Sequence, residues 1–132
     1  MLQKVIIIGN LGGEPESRFT PSGQQVTSFS VATTNQYKNA QGEPVKETTW
    51  FKVQAWGKLA EICKQYLNKG SKVYVEGRLT PDKTTGGPRI WTKQDGSSAA
   101  SFDLNASEVK FLSPKSEAHA AQVDVSDDDV PF

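Results

Sequence analysis

The order of apolar and polar positions along the chain predicts five β-strands and one helix. Apolar residues alternate with polar ones, as in half-buried strands, over residues 25–34, 48–58, 71–80 and 100–112. Helical spacing instead relates Leu59, Ile62, Cys63, Tyr66 and Leu67. Gly70 is placed to end that helix. These patterns indicate an all-β chain with one short helix.

A first strand is predicted over residues 4–10, where four β-branched residues follow one another from Val5 to Ile8. Consecutive apolar residues leave neither face of this strand polar, so each face needs a cover. A partner subunit or the domain's own loops can supply that cover, and the sequence leaves both alternatives open.

Two connections and one strand irregularity complete the pattern. Residues 35–47 are polar and contain Gly42 and Pro44, which predicts a long hairpin loop. Residues 81–99 combine glycines and prolines with Ile90 and Trp91, and form either a mobile excursion or a short extra hairpin with an aromatic tip. In the last strand the apolar phase changes after residue 106, which indicates a β-bulge.

Three strands, a helix and two further strands is the element order of the OB fold. This five-stranded barrel commonly binds oligonucleotides or oligosaccharides on its sheet face and loops. We therefore predict an OB barrel over residues 1–112, a short flexible linker over residues 113–126, and a disordered acidic tip over residues 127–132. The fold leaves the ligand open, so function has to be argued from side chains.

The net charge of zero conceals an asymmetry between the body and the tail. Residues 1–112 hold 14 Lys+Arg against 10 Asp+Glu, whereas residues 113–132 hold 1 against 5. The body is therefore +4 and the tail −4, which suggests a basic binding surface beside an acidic interaction peptide. Solvated surface charge is the alternative interpretation.

Cysteine content and the N-terminal residues indicate where the protein acts. Cys63 is the single cysteine, so an internal disulfide is excluded and a thiolate metal site is not expected. We interpret it as a buried structural thiol. The first residues lack a secretory pattern, and no apolar run is long enough to cross a membrane. We expect a soluble, cytoplasmic protein without membrane contact.

The third strand carries the strongest functional signal. Phe51, Val53 and Ala55 share one face, which we assign to the core. Trp50 and Trp56 then point away from the core. Tryptophans in a strand are usually core residues, so an exposed pair needs a binding surface to explain it.

Basic residues accompany these two indoles. Lys52 lies between them, Lys46 and Lys58 lie at the two ends of the stretch, and Lys38 precedes it. Bases of a single strand stack on aromatic rings with about 1–3 kcal/mol each, while cations meet the phosphates. Duplex bases are already stacked, so the pattern favours single strands.

An OB-type adaptor, whose aromatic face contacts a partner protein, is the alternative hypothesis. Steep salt dependence of oligonucleotide binding would favour nucleic acid, because neutralised phosphates release counterions. An enzyme is the weakest alternative. The only histidine, His119, lies in the tail, and no clustered side chains suggest a catalytic, metal or cofactor site.

Three segments resemble the bacterial single-stranded DNA-binding protein (SSB) family. They are "KVIIIGNLGGEPESRFTPSG", "ETTWFKVQAWGKLAEICKQYLNKGSKVYVEGRL" and the terminal "DDDVPF". The resemblance implies an OB-fold homotetramer at the nucleoid. It also implies that the protein binds and protects single-stranded DNA without sequence preference in DNA replication, recombination and repair.

The resemblance also implies roles for individual residues. Stacking positions of the family match Tyr37, Trp50 and Trp56, and we add Trp91 from the segment where the family often has a further tryptophan. Basic positions along the DNA path match Lys4, Arg18, Lys52, Lys58 and Lys69. The region around Trp91 departs from the family through the insertion-like "TTGGPRIWTKQDGSS", and the linker is shorter than in many relatives.

The acidic tip is the last functional segment. The resemblance implies that it recruits DNA-processing proteins, and its chemistry suits a peptide ligand. Phe132 can enter an apolar pocket, its α-carboxylate can pair with an arginine, and the aspartates can meet a basic rim. The tip consists of Asp127, Asp128, Asp129, Val130, Pro131 and Phe132.

Overall fold

The computed structural model describes residues 1–113, and within them it contains seven strands and one helix. In chain order these are β1 (Val5–Leu11), β2 (Glu16–Phe19), β3 (Gln25–Lys38), β4 (Pro44–Trp56), α1 (Lys58–Tyr66), β5 (Lys72–Leu79), β6 (Arg89–Thr92) and β7 (Ser98–Phe111). The predicted strands and helix are all present. The short strands β2 and β6 are additional. Residues 114–132 lie outside the described residues. They hold the rest of the predicted linker, with His119, and the acidic tip.

The strands close into the predicted OB barrel. They hydrogen-bond in the order β1-β5-β7-β4-β3-β2, and β1 also pairs with β3 through Asn10↔Ala32 and Leu11↔Val31. This second pairing of β1 closes a ring of five strands. β4 and β7 run parallel, with Phe51 opposite Phe102, whereas the other pairs are antiparallel. The fold class predicted from element order is confirmed.

The core fills the inside of this ring and is sealed by α1. Its fully buried side chains include Val31, Val53, Ala55, Val73, Val75 and Leu104. Burial of an apolar side chain of this size contributes about 1.5–3 kcal/mol. On α1, Ala60 and Cys63 face the barrel, and the buried hydroxyl of Thr27 donates to the Ala60 carbonyl at 2.7 Å. That hydrogen bond fastens the helix to β3.

The single cysteine has the buried, structural position that the sequence predicts. Cys63 is inaccessible to solvent, and burial raises the pKa of its thiol to about 12. The helix ends at Tyr66 rather than at Gly70, because Leu67 already has extended backbone. Gly70 instead lies in the turn that leads to β5, with φ of 89°.

The predicted bulge is present where β5 pairs with β7. Glu76 pairs with Glu108 and Gly77 with Ala106, so Ser107 has no opposing residue. At this point the backbones come so close that a Cβ at Gly77 would overlap the Asn105 carbonyl. Glycine is therefore required at the bulge.

The connection between β3 and β4 is a ribbon rather than a long loop. Pairing continues to Lys38↔Pro44, which leaves residues 39–43 as a tight turn. The polar composition was the reason for predicting a loop. Beyond the end of the barrel neither face of the ribbon is buried, so the strands need no apolar alternation there.

The segment 81–99 contributes the extra hairpin, which is one of the two alternatives that the sequence leaves open. β6 pairs with the start of β7, from Arg89↔Ser101 to Thr92↔Ser98. Trp91 lies within β6 and not at the tip. The tip is the turn over residues 93–97, closed by the Lys93 N–H donating to the Ser97 carbonyl at 2.7 Å.

Three apolar residues differ from their expected environment. Leu79 and Phe102 continue the alternation of the buried positions in β5 and β7, yet they are 42% and 53% exposed, because they lie where their strands leave the barrel. On β1, Ile6 is 54% exposed. The loops of the described domain therefore do not cover the outer face of β1, and the partner subunit stays a prediction.

No helix in residues 1–113 is long and apolar enough to cross a membrane. Within the same described part of the chain, no group of three or more His, Cys, Asp or Glu side chains could hold a metal ion.

Candidate nucleic-acid interface

The outer face of β4 presents two indoles to solvent. Val53 and Ala55 are fully buried on the inner face, and Trp50 and Trp56 on the outer face are 53% and 38% exposed. The predicted phase of this strand is confirmed. We call the outer surface formed by Trp50, Lys52, Gln54 and Trp56, with the neighbouring positions of β3 and β7, the indole face.

Trp50 is seated against the β1–β2 loop. A methyl group on Gly12 would come within 2.5 Å of Cζ3 and 2.7 Å of Cη2 of the indole, so the ring occupies space that only glycine leaves free. Beside the ring lies an open groove of about 500 Å³, whose lining includes Lys52, Ser30 and Glu14.

Trp56 is held by a polar contact at the other end of the indole face. Its Nε1–H donates to Oδ1 of Asn105 on β7 at 3.2 Å. This hydrogen bond holds the edge of the ring and leaves its flat face available for stacking. Asn105 was not predicted as a site residue, because the contact depends on the parallel pairing of β4 with β7.

Four of the predicted cations share the indole face by register. Cross-strand partners point to the same side of a sheet. Lys52 is opposite Ser30, Lys46 opposite Gln36, and Lys38 opposite Pro44. Arg18 on β2 is opposite Val26, which in turn is opposite Trp56. These four cations therefore lie on the side of the sheet that carries the indoles.

Trp91 also belongs to this surface. Arg89 and Trp91 are two residues apart on β6, and Arg89 bonds Asp103 of β7, which is opposite Lys52 of β4. The same side of the sheet therefore carries Trp91, 42% exposed, and the two indoles of β4. Sequence reasoning missed Arg89 and Asp103, although Arg89 is two residues from Trp91 and so shares its face of the strand.

Two predicted residues lie away from the indole face. Lys4 forms an ion pair with Glu76 at 3.3 Å on the β1–β5 side of the barrel. Tyr37 is exposed on the opposite side of the β3–β4 ribbon, because its position alternates with Gln36. There a hydrogen bond from its hydroxyl to the Glu47 carboxylate raises the pKa of Tyr37.

The remaining two lysines lie at the margins of the surface. Lys58 begins α1, directly after β4, and its Nζ is 4.0 Å from Glu61. Such an exposed ion pair contributes little to stability, so the Lys58 ammonium group is free to exchange Glu61 for another anionic partner. Lys69 lies in the turn before β5, where its backbone N–H donates to the Glu14 carboxylate at 3.2 Å.

Fold and surface together define an OB-fold domain whose sheet face has the aromatic and basic side chains of an oligonucleotide-binding site. The chain belongs to the single-strand binding protein family, which it matches over residues 2–112. The resemblance seen in the sequence is thereby confirmed.

Individual relatives agree with this assignment. The single-stranded DNA-binding protein of Xanthomonas campestris pv. campestris is 42% identical over 116 residues, which cover 88% of this chain and 63% of that protein. Single-stranded DNA-binding protein 1 of Chlorobaculum tepidum is 53% identical over 78 residues, covering 59% of this chain and 48% of that protein. The chain thus matches less than two thirds of the length of these relatives.

A solved structure supports the fold and the family. The Plasmodium falciparum SSB complex with single-stranded DNA is similar with a TM-score of 0.68 and 26% identity. The similarity covers 86% of this chain and 96% of the other.

Proposed function

We propose that this chain binds single-stranded DNA without sequence preference and protects it during DNA replication, recombination and repair. The observation that carries the proposal is the indole face, where Trp50 and Trp56 are exposed on either side of Lys52. Membership of the single-strand binding protein family supports it. A protein with this role acts in the cytoplasm, at the nucleoid, and is not an enzyme.

The chemistry of the indole face explains the preference for single strands. Every base has a π-face, so stacking on an indole accepts any sequence, and in OB domains of this kind it contributes about 1–3 kcal/mol per base. A duplex hides those faces. Lysine and arginine side chains meet phosphates, which also carry no sequence information.

Each predicted residue has a role in this proposal. Stacking is assigned to Tyr37, Trp50, Trp56 and Trp91. Phosphate contact is assigned to Lys4, Arg18, Lys38, Lys46, Lys52, Lys58 and Lys69. Tyr37 and Lys4 lie off the indole face, so they reach DNA only if the strand wraps around the barrel beyond that face.

Two partners besides DNA belong to the proposal. One is a further copy of the chain, in a homotetramer, and the exposed Ile6 of β1 supports such a contact. The other is the group of replication, recombination and repair proteins, which the acidic tip, residues 127–132, would recruit.

Tryptophan fluorescence during titration with oligo-dT tests the proposal. Bases that stack on Trp50 and Trp56 quench their emission, and a duplex of equal length leaves it nearly unchanged. Affinity should fall as salt rises, with a slope of about −0.7 per phosphate contacted. Quenching by duplex and single strand alike would contradict the preference for single strands.

A protein-binding adaptor is the second candidate, and one observation favours it. Glu14 and Glu16 line the groove beside Trp50, and their carboxylates repel phosphates. If no nucleic acid quenches the indoles at low salt, the same face is better assigned to a protein partner.

A further inference from the structure

Trp91 lies on a hairpin that the barrel core does not hold. β6 pairs with β7 on the arm that projects from the main sheet, and its two apolar side chains, Ile90 and Trp91, are 64% and 42% exposed. An indole whose orientation is fixed before binding loses less conformational entropy when a base stacks on it. Burial does not fix Trp91, so any fixing of its ring comes from other contacts.

Arg89 is anchored to β7 through two of its nitrogen atoms. Its Nε donates to Oδ2 of Asp103 at 2.9 Å, and its Nη2 donates to Oγ of Ser101 at 3.2 Å. The Ser101 hydroxyl donates to Oδ1 of the same Asp103 at 2.6 Å. Both carboxylate oxygens are engaged, so the plane of the guanidinium group has little freedom.

The guanidinium group lies next to the Trp91 ring. Its central carbon is 6.0 Å from the ring centroid, at the outer limit of cation–π contact. Arginine can hold a carboxylate with its nitrogen atoms and still present a flat cation to an indole. Lysine, with a single ammonium group, cannot do both.

The charge of Arg89 is already matched. Its side chain is 39% exposed and that of Asp103 only 16%, so the ion pair is partly shielded from water. Asp103 is also opposite Lys52 in the β4–β7 register. A phosphate approaching Arg89 would have to compete with this carboxylate, which makes Arg89 a poor phosphate ligand.

We infer that Arg89 is a positioning residue that acts through Trp91. Held by Asp103 and Ser101, it fixes the indole of β6 on the same side of the sheet as Trp50 and Trp56. The inference rests on the proposed function and adds to it a residue that works without touching DNA.

A measurement without DNA tests the positioning itself. In a Trp50→Phe/Trp56→Phe background Trp91 is the sole tryptophan, and its steady-state anisotropy and acrylamide quenching report the freedom of its ring. Arg89→Lys should lower the anisotropy and raise the quenching, and Asp103→Asn should do the same. Unchanged values in both variants would overturn the inference, whatever the protein binds. Circular dichroism melting of each variant confirms that it is folded.

A second measurement places the effect on DNA binding. Introduced as the only change, Arg89→Lys keeps the charge and should weaken oligo-dT binding about 3- to 10-fold. In a Trp91→Ala background the same change should alter affinity by less than about 1.5-fold, because the two residues act as a unit. Equal losses in both backgrounds would contradict the inference.

The salt slope separates positioning from phosphate contact. Arg89→Gln should leave the slope unchanged, whereas a lost phosphate contact reduces it by about 0.7. Lys93→Gln, on the same hairpin, is the matched control for the removal of one cation. If the wild-type protein fails to bind oligo-dT, the proposed function is wrong, and the anisotropy of Trp91 still decides the role of Arg89.

Discussion

Gly12 and Trp50 show how a single residue shapes the indole face. The ring of Trp50 fills the volume that a Cβ at position 12 would need, with Cζ3 at 2.5 Å from that point. Neighbouring Gly13 has no atom within 4 Å of its would-be Cβ. A side chain larger than hydrogen would therefore displace Trp50 at position 12 but meet no atom at position 13.

Gly12→Ala should weaken oligo-dT binding by roughly 5- to 10-fold, because the indole of Trp50 must tilt away from its seat and loses part of one stacking contact. The free energy of unfolding should change little, since the ring is half exposed. Fluorescence titration and urea unfolding measure the two quantities. Gly13→Ala is the matched control, and equal affinities of both variants would show that the seat of Trp50 does not matter.

Strand elements depend on another glycine in a different way. At the β5–β7 bulge, a Cβ on Gly77 would overlap the carbonyl of Asn105, and backbone cannot give way as a side chain can. Gly77→Ala should lower the free energy of unfolding by about 1–3 kcal/mol, the usual range for overpacking. Urea denaturation gives the value. Gly87→Ala, whose nearest atom is Oγ1 of Thr85 at 3.7 Å, should be nearly neutral, and a similar loss in both would refute the steric explanation.

Elements whose side chains face the core could be predicted from the sequence. The phase of β4 separates buried Val53 from exposed Trp50, and the change of phase in β7 marks the bulge. The β3–β4 ribbon beyond the barrel could not be predicted as strand, since water surrounds both of its faces. The exposure of Phe102 could not be predicted for a related reason, because alternation continues past the point where the barrel ends.

The candidate site was predictable only where it lies on one strand. Trp50, Lys52 and Trp56 share a face because of local alternation, and local alternation is visible in sequence. The contacts of Trp56 with Asn105 and of Arg89 with Asp103 join residues 49 and 14 positions apart. These contacts form only because of the way the strands pair, and the register of that pairing cannot be predicted from a single sequence.

At the scale of the whole molecule, the outer face of β1 exposes an apolar side chain that supports the proposed homotetramer. Ile6 on β1 is 54% exposed although β-branched apolar residues flank it on both sides. Ile6→Glu should raise the dissociation constant of the oligomer about 10- to 100-fold, because an apolar contact is lost and a charge is buried. Light scattering across a dilution series measures the mass. Ile90→Glu changes an isoleucine on the hairpin that is 64% exposed, and it should leave the mass unchanged. A monomeric wild-type protein would remove the basis of this prediction.

Because Cys63 is fully buried, its reactivity can report the opening of α1. A thiol with no exposed surface and a pKa of about 12 reacts with an alkylating reagent only after α1 lifts from the barrel. As the chain has one cysteine, every labelled molecule counts one such opening. The rate of labelling therefore reports the local opening equilibrium of the helix. Comparing the rate with and without a bound strand shows whether a ligand on the outer side of β4 changes the stability of the helix packed on the inner side.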